Sequence, residues 1–251
     1  MLLPSTVTPL VGAHRGASAD APENTLAAFD LALEQGAELI EFDVHRTRAG
    51  ELVILHDFSL DRTTTGAGQV AERTLAELKE LDAGAWRGDR WVGQRIPTLD
   101  EVLDRYGARV YLNIEIKAGE VPYPKIEQQV AEAVRRRGLY DRIVVSSFDF
   151  ATVRRLRQVN PQVRAALLAE KDPDEALRLA AEIGVVGLHL QATLITAARV
   201  ARAAERGLGI LAWTVDTEPE MKRLLALNID AVVSNVPAVL YRVVMDCRTG
   251  R

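Results

Sequence analysis

The chain holds a single cysteine, Cys247, which excludes an internal disulfide and the stapled secreted folds that depend on several. No run of about 18 apolar residues occurs, so nothing reads as a bilayer span. The opening stretch, MLLPSTVTPLVGAHRG, lacks a basic start and is interrupted by Pro4 and Pro9, so it does not read as a signal peptide. An excess of one charge is missing as well. Lys and Arg number 31 and Asp and Glu 35, a net charge of −4, and no basic cluster marks a nucleic-acid or membrane-surface footprint. There are no internal repeats and no low-complexity tail. These absences leave the expectation of a soluble cytoplasmic protein with no nucleic-acid partner and no stable membrane association.

What is present is ample apolar material, 48% of 251 residues, enough for one sizeable core. Eight short runs rich in Val, Ile and Leu recur, at 10–15, 38–46, 109–117, 142–148, 163–169, 185–190, 209–216 and 230–236. Most are separated by segments of helical periodicity, among them NTLAAFDLALEQG, YPKIEQQVAEAVRRRG and DPDEALRLAAEIG, several of which end in Gly as helices do. Strands alternating with helices imply a parallel sheet, and eight units suggest a closed barrel in one domain, 1–251. An open doubly wound sheet is the alternative, disfavoured because no Gly-rich dinucleotide fingerprint follows the first strand. The segment 57–97 breaks the rhythm. It carries five glycines, Trp86, Trp91 and a short helix-like stretch near 74–81, and it reads as an insertion over one rim, with ELVILHD (51–57) as an extra strand leading into it.

The unusual polar residues sit at strand ends. His14 and Arg15 close the first run, Glu41 and Asp43 lie near the end of the second, and Glu115 and Lys117 near the end of the third. Residues two apart share a strand face, and active sites of parallel barrels form at the C-terminal strand ends. Three carboxylates meeting there would repel one another, and a divalent cation would relieve the repulsion. An all-oxygen donor set suits Mg²⁺ or Ca²⁺ better than Zn²⁺. Salt bridges among Glu41, Asp43, Glu115, Arg15 and Lys117 account for the same residues equally well. His14 and His56 each end an apolar run and form a candidate acid–base pair, with Asp57 placed to orient His56 or to cap a turn. His45 reads as solvated and His189, inside GLHLQ, as a satisfied core histidine. Asn24 or Thr25 is placed to cap the first helix after the stiffening Pro22. Trp213 near the end of the seventh strand, and Phe148 after the fourth, are candidate pocket walls. Trp86 and Trp91 either cover the site or anchor the insertion.

Taken together, HRG…PENT…AF, EFDVHRTRAGELVILHD, LNIEIK and WTVD resemble the glycerophosphodiester phosphodiesterases over nearly the whole chain. The resemblance implies a TIM (β/α)8 barrel with a small insertion between barrel strands 2 and 3. It implies one divalent cation held by Glu41, Asp43 and Glu115, with His14 and His56 as general acid and base. Arg15 and Lys117 would contact phosphate, and Glu23 and Asn24 would shape the site. The implied reaction is hydrolysis of a small glycerophosphodiester to glycerol 3-phosphate and an alcohol. A phospholipid-directed phosphodiesterase and a non-catalytic glycerol-phosphate-binding barrel are the alternatives, and a homodimer is left open. Two stretches depart from the family's pattern: WTVD stands where relatives often read WTVN, and SNVP where they often read TDxP.

Overall fold

The Val, Ile and Leu runs become strands buried on both faces, as a barrel wrapped in helices requires. A computed structural model describes residues 2–5, 9–119 and 121–249. Its strands are β1 (Leu10–His14), β2 (Leu39–Arg46), β3 (Leu52–Ile54), β4 (Tyr111–Ile116), β5 (Ile143–Ser147), β6 (Arg164–Ala169), β7 (Gly187–Gln191), β8 (Gly209–Trp213) and β9 (Ala231–Ser234). The helices are α1 (Leu26–Glu34), α2 (Leu75–Glu80), α3 (Leu99–Tyr106), α4 (Ile126–Arg137), α5 (Phe150–Val159), α6 (Pro173–Ile183), α7 (Ala197–Ala204), α8 (Glu218–Leu225) and α9 (Pro237–Thr249). The ring order β1-β2-β4-β5-β6-β7-β8-β9 closes through β9 on β1, and every pairing around it is parallel. This is the eight-stranded TIM barrel, and the open sheet is excluded. The extra strand β3 pairs antiparallel on the outer end of β2. Among the described residues no helix is long and apolar enough to cross a membrane.

Strand β2 shows how the barrel is built. Ile40, Phe42 and Val44 point outward into the layer shared with the helices, where Phe29 packs 5.7 Å from both Phe42 and Tyr106. The alternate residues point inward, Leu39 first and then Glu41 and Asp43 toward the C-terminal end. The lower interior is apolar, filled by Leu10, Leu39, Val144, Ala166, Leu211, Ala231 and Val233, with Leu2 and Leu3 of the N-terminal segment packed into it. Glycine is needed where that segment enters: a Cβ on Gly187 would stand 2.6 Å from Leu2 Cδ1, and one on Gly209 2.7 Å from Leu2 N. Polar residues occupy the upper interior.

Between β2 and β4 the chain carries β3, three single-turn 3₁₀ segments and α2 before reaching α3. Val53, Leu55, Leu60, Val70, Leu78, Ala83 and Ile96 give this segment a small core of its own. Trp86 donates to the carbonyl of Ala83 at 3.0 Å, and the Arg90 guanidinium lies 4.7 Å from the Trp91 ring centre while donating to the Asp20 carbonyl. Trp86 thus bonds within the insertion itself, and Arg90, lying over Trp91, ties the insertion to the loop that carries Asp20.

Candidate active site

The turn after β1 aims the first site residues. Arg15 and Asn24 both adopt left-handed backbone, φ 56° and 59°, a conformation that asparagine tolerates better than most side chains. The turn is closed by Asn24 N–H donating to the Arg15 carbonyl at 3.0 Å, while Arg15 N–H is taken by the Glu41 carbonyl at 2.9 Å and its carboxylate at 3.1 Å. Thr25, not Asn24, caps α1, accepting from Ala28 N and donating to the Pro22 carbonyl. Asn24 is thereby free to donate to Asp43 Oδ2 at 2.9 Å.

Register brings the acids together. His14 pairs with Glu41 across β1 and β2, and Glu41 and Asp43 pair with Asn113 and Glu115 across β2 and β4. One donor oxygen from each of Glu41, Asp43 and Glu115 can be chosen so that all lie within 4.8 Å of one another. The three residues are only 6%, 1% and 9% exposed. Lys117 Nζ lies 2.8 Å from Glu115 Oε1 and 3.4 Å from Asp43 Oδ1, and Arg15 Nε lies 3.5 Å from Asp43 Oδ2. Burial works against ionisation of all three. Asp43 is nevertheless held below the usual carboxylate range by Lys117 and Arg15. Burial and the Asp43 charge push Glu115 up to about 7, and burial with Asp43 and Glu115 pushes Glu41 well above its ordinary value. Burial would lower Lys117, but Asp43 and Glu115 raise it. The salt bridges expected from the sequence thus exist at Asp43 and Glu115, while Glu41 has no Lys or Arg ion pair among the described residues and both glutamates stay raised. A hard divalent cation fits this buried, all-oxygen set.

The two candidate histidines differ in their support. His14 Nδ1 lies 2.7 Å from Asn235 Oδ1, and its Nε2 3.9 Å from Glu41 Oε2. Burial, with Arg15 adding to it, lowers His14 to about 4. His56 Nδ1 rests on Asp57 Oδ1 at 2.6 Å, so Asp57 orients the ring. Burial also lowers His56, against the pull of Asp43. Arg62, from the insertion, grips both Asp57 oxygens at 2.6 and 3.0 Å and both Glu23 oxygens at 2.8 and 2.7 Å. Glu23 also takes Arg15 Nη1 at 2.9 Å. Glu23 therefore anchors the guanidinium of Arg15 from the rim.

A cavity of about 230 Å³ joins these groups. His14, Arg15, Glu41, His56, Glu115 and Lys117 line one side, and Phe148 and Trp213, packed edge to face at 5.5 Å, line the other. Asn24, Asp43 and Glu23 stand behind that lining. Two histidine expectations need correction. His45 is fully buried, with Nδ1 2.7 Å from the Tyr123 hydroxyl and Nε2 3.0 Å from the His56 carbonyl, because its strand position points into the barrel. His189 lines the cavity, and its Nε2 has no hydrogen-bond partner among the described residues.

A model of the glycerophosphoryl diester phosphodiesterase family matches residues 14–239. The chain belongs to that family. Membership places it among the phosphoric diester hydrolases. A glycerophosphodiester phosphodiesterase of Caldanaerobacter subterraneus subsp. tengcongensis is 39% identical over 236 residues, covering 94% of this chain and 97% of that one. The crystal structure of the glycerophosphodiester phosphodiesterase from Agrobacterium tumefaciens superposes with a TM-score of 0.83 at 30% identity, over 93% of this chain and 99% of the other. An Oleispira antarctica phosphodiesterase, solved in complex with the product sn-glycerol-3-phosphate, gives a TM-score of 0.83 at 32% identity, over 94% and 97%. Within this glycerophosphoryl diester phosphodiesterase fold, Arg62 and His189 support or line the site although no motif marks them, and Asp216 and Asn235, which stand where the chain departs from the family's pattern, support it as well. Arg62 and Asn235 lie in irregular segments whose approach to the site only the tertiary fold reveals.

Proposed function

We propose that the protein hydrolyses glycerophosphodiesters to glycerol 3-phosphate and an alcohol, with one Mg²⁺ or Ca²⁺ held by Glu41, Asp43 and Glu115. The observation that carries this reading is the buried carboxylate cluster standing between two oriented imidazoles at the edge of a cavity, in a chain of this family. Bound there, the cation would supply positive charge to a non-bridging phosphoryl oxygen. Arg15 and Lys117 add positive charge to the same group and fix its orientation. Arg15 Nε faces Asp43 Oδ2 at 3.5 Å and its Nη1 is held by Glu23, which fixes the guanidinium at the cavity edge.

Asn235 can only accept at Oδ1, so His14 Nδ1 carries the ring proton and Nε2 presents a lone pair. His14 is then the base. It takes the proton from the glycerol hydroxyl vicinal to the ester, whose oxygen attacks phosphorus at high effective molarity. His56, backed by the Asp57 carboxylate, which favours the imidazolium, gives its proton to the departing alcohol oxygen. Water then opens the cyclic phosphate with the proton roles reversed.

The test is release of glycerol 3-phosphate from a panel of glycerophosphodiesters, with and without EDTA and re-added cation. Activity is expected to vanish with EDTA and return with Mg²⁺ or Ca²⁺. His14→Ala and His56→Ala are each expected to lower turnover by roughly 10²–10⁴-fold. Turnover unaffected by chelation, or near-normal in both variants, refutes the mechanism. Binding of glycerol 3-phosphate without turnover of any diester would favour the non-catalytic reading.

A further inference from the structure

The scheme above leaves two buried histidines unused, and they differ. Both nitrogens of His45 are engaged, whereas His189 Nε2 is unpartnered although the residue is 0% exposed. A buried polar group left unpaired is costly, so a finished core does not account for His189. The ring order places β7 four positions from β2 in a circle of eight, so His189 rises from the wall opposite the one that carries Glu41 and Asp43. Leu168 and Leu211 pair with it in register on either side, and with Val233 they make an apolar floor in which His189 and Asn113 are the polar positions.

The ring is held from beneath. Ser146 Oγ donates to Asn113 Oδ1 at 3.0 Å, which turns Asn113 Nδ2 toward His189 Nδ1 at 3.4 Å. With Nδ1 accepting, the proton lies on Nε2. Burial lowers His189 to about 3, so the ring is a neutral donor at ordinary pH. A neutral N–H on an otherwise apolar floor suits an uncharged oxygen, and the phosphate is already served by Arg15 and Lys117 on the other side. Trp213 Nε1, on the same wall, is a second buried donor with no partner among the described residues. If the phosphate and the attacking hydroxyl lie by His14, the remaining terminal hydroxyl of glycerol is the group that can extend across the floor.

We propose that His189 is a substrate-binding residue whose Nε2–H donates to the terminal, non-reacting hydroxyl of the glycerol moiety, and that this contact sets the preference for glycerol over a polyol lacking that hydroxyl. The inference rests on the glycerophosphodiester reading above. The deciding comparison is kcat/KM for glycerophosphocholine against its propane-1,2-diol counterpart, which keeps the vicinal nucleophile and lacks only the terminal hydroxyl. The wild-type protein is expected to prefer the glycerol ester by roughly tenfold to a hundredfold, and His189→Phe to bring the two within about threefold. Equal efficiency in the wild-type protein, or an undiminished preference in H189F, overturns the assignment.

Should H189F fail to fold, the wild-type protein supplies a second reading. The ¹⁵N resonance of His189 Nε2 is expected to shift on saturation with sn-glycerol 3-phosphate and not with propane-1,2-diol phosphate, and an identical response to both sinks the proposal. Turnover of neither diester would remove the functional reading itself. Turnover of both with equal efficiency would leave that reading standing and remove only the role of His189.

Discussion

Asn235 accepts from His14 Nδ1 at 2.7 Å and from Ser18 Oγ at 2.8 Å, while its own Nδ2 donates to Asp216 Oδ2 at 2.6 Å and its backbone N–H to Asp216 Oδ1 at 2.8 Å. The two departures from the family's pattern, Asp216 in WTVD and Asn235 in SNVP, therefore touch one another. Here the acid stands at 216 and the amide at 235, and a hydrogen bond joins them. Asn235→Asp alone would set two carboxylates face to face behind His14, and turnover is expected to fall roughly tenfold or more with KM little changed. Asp216→Asn combined with Asn235→Asp restores one acid and one amide and should recover most of the loss, a coupling of about 2 kcal/mol. Steady-state kinetics of the two single variants and the double variant would show it, and strictly additive losses would disprove the pairing. Neither position reveals its partner in the sequence, since 19 residues separate them. Glu41, Asp43 and Glu115 are legible because carboxylates at period two stand out in apolar strands. His189 is not, because a histidine inside GLHLQ has the same pattern whether its second nitrogen is satisfied or free.

Elements were more legible than contacts. Each of the eight apolar runs overlaps a barrel strand, because a strand buried on both faces leaves a nearly continuous record of Val, Ile and Leu. The interior of the 57–97 segment was readable only at its short helix, α2. Leu60, Val70 and Leu78 converge from a loop, a 3₁₀ turn and α2, with no shared period to announce a common core. At the turn after β1, the sequence could not divide labour between Asn24 and Thr25. The structure divides it, with Thr25 holding α1 and Asn24 holding Asp43. Thr25→Ala removes the acceptor for Ala28 N, and Thr25→Ser keeps it. The alanine variant is expected to lose about 1 kcal/mol of stability in urea unfolding and the serine variant to lose far less. Equal midpoints for the alanine variant and wild type would show that the cap contributes nothing.

Across the whole site network, five carboxylates (Glu23, Glu41, Asp43, Asp57 and Glu115) face three cationic side chains (Arg15, Arg62 and Lys117). Full ionisation leaves two negative charges, which one divalent cation balances, and this gives stability a pH dependence that reports on the cation. Burial lowers His14 and His45 to about 4 and His189 to about 3. The unfolded chain takes up those protons as pH drops through about 6.5, well before the folded chain does, so these groups make stability fall on acidification. Glu41 and Glu115 act in the opposite sense without a cation. With Glu115 raised to about 7, the folded state binds protons between pH 7 and the ordinary carboxylate range while the unfolded chain does not, which favours folding as pH falls. A bound cation keeps both carboxylates ionised and removes that opposing contribution. Each proton is worth about 1.4 kcal/mol per pH unit, so between pH 7 and 5 protein saturated with Mg²⁺ or Ca²⁺ should lose stability more steeply than protein in EDTA, by at most about two protons' worth. Urea midpoints at pH 7, 6 and 5 with and without cation measure the difference. Parallel slopes would mean that Glu41 and Glu115 do not hold the ion.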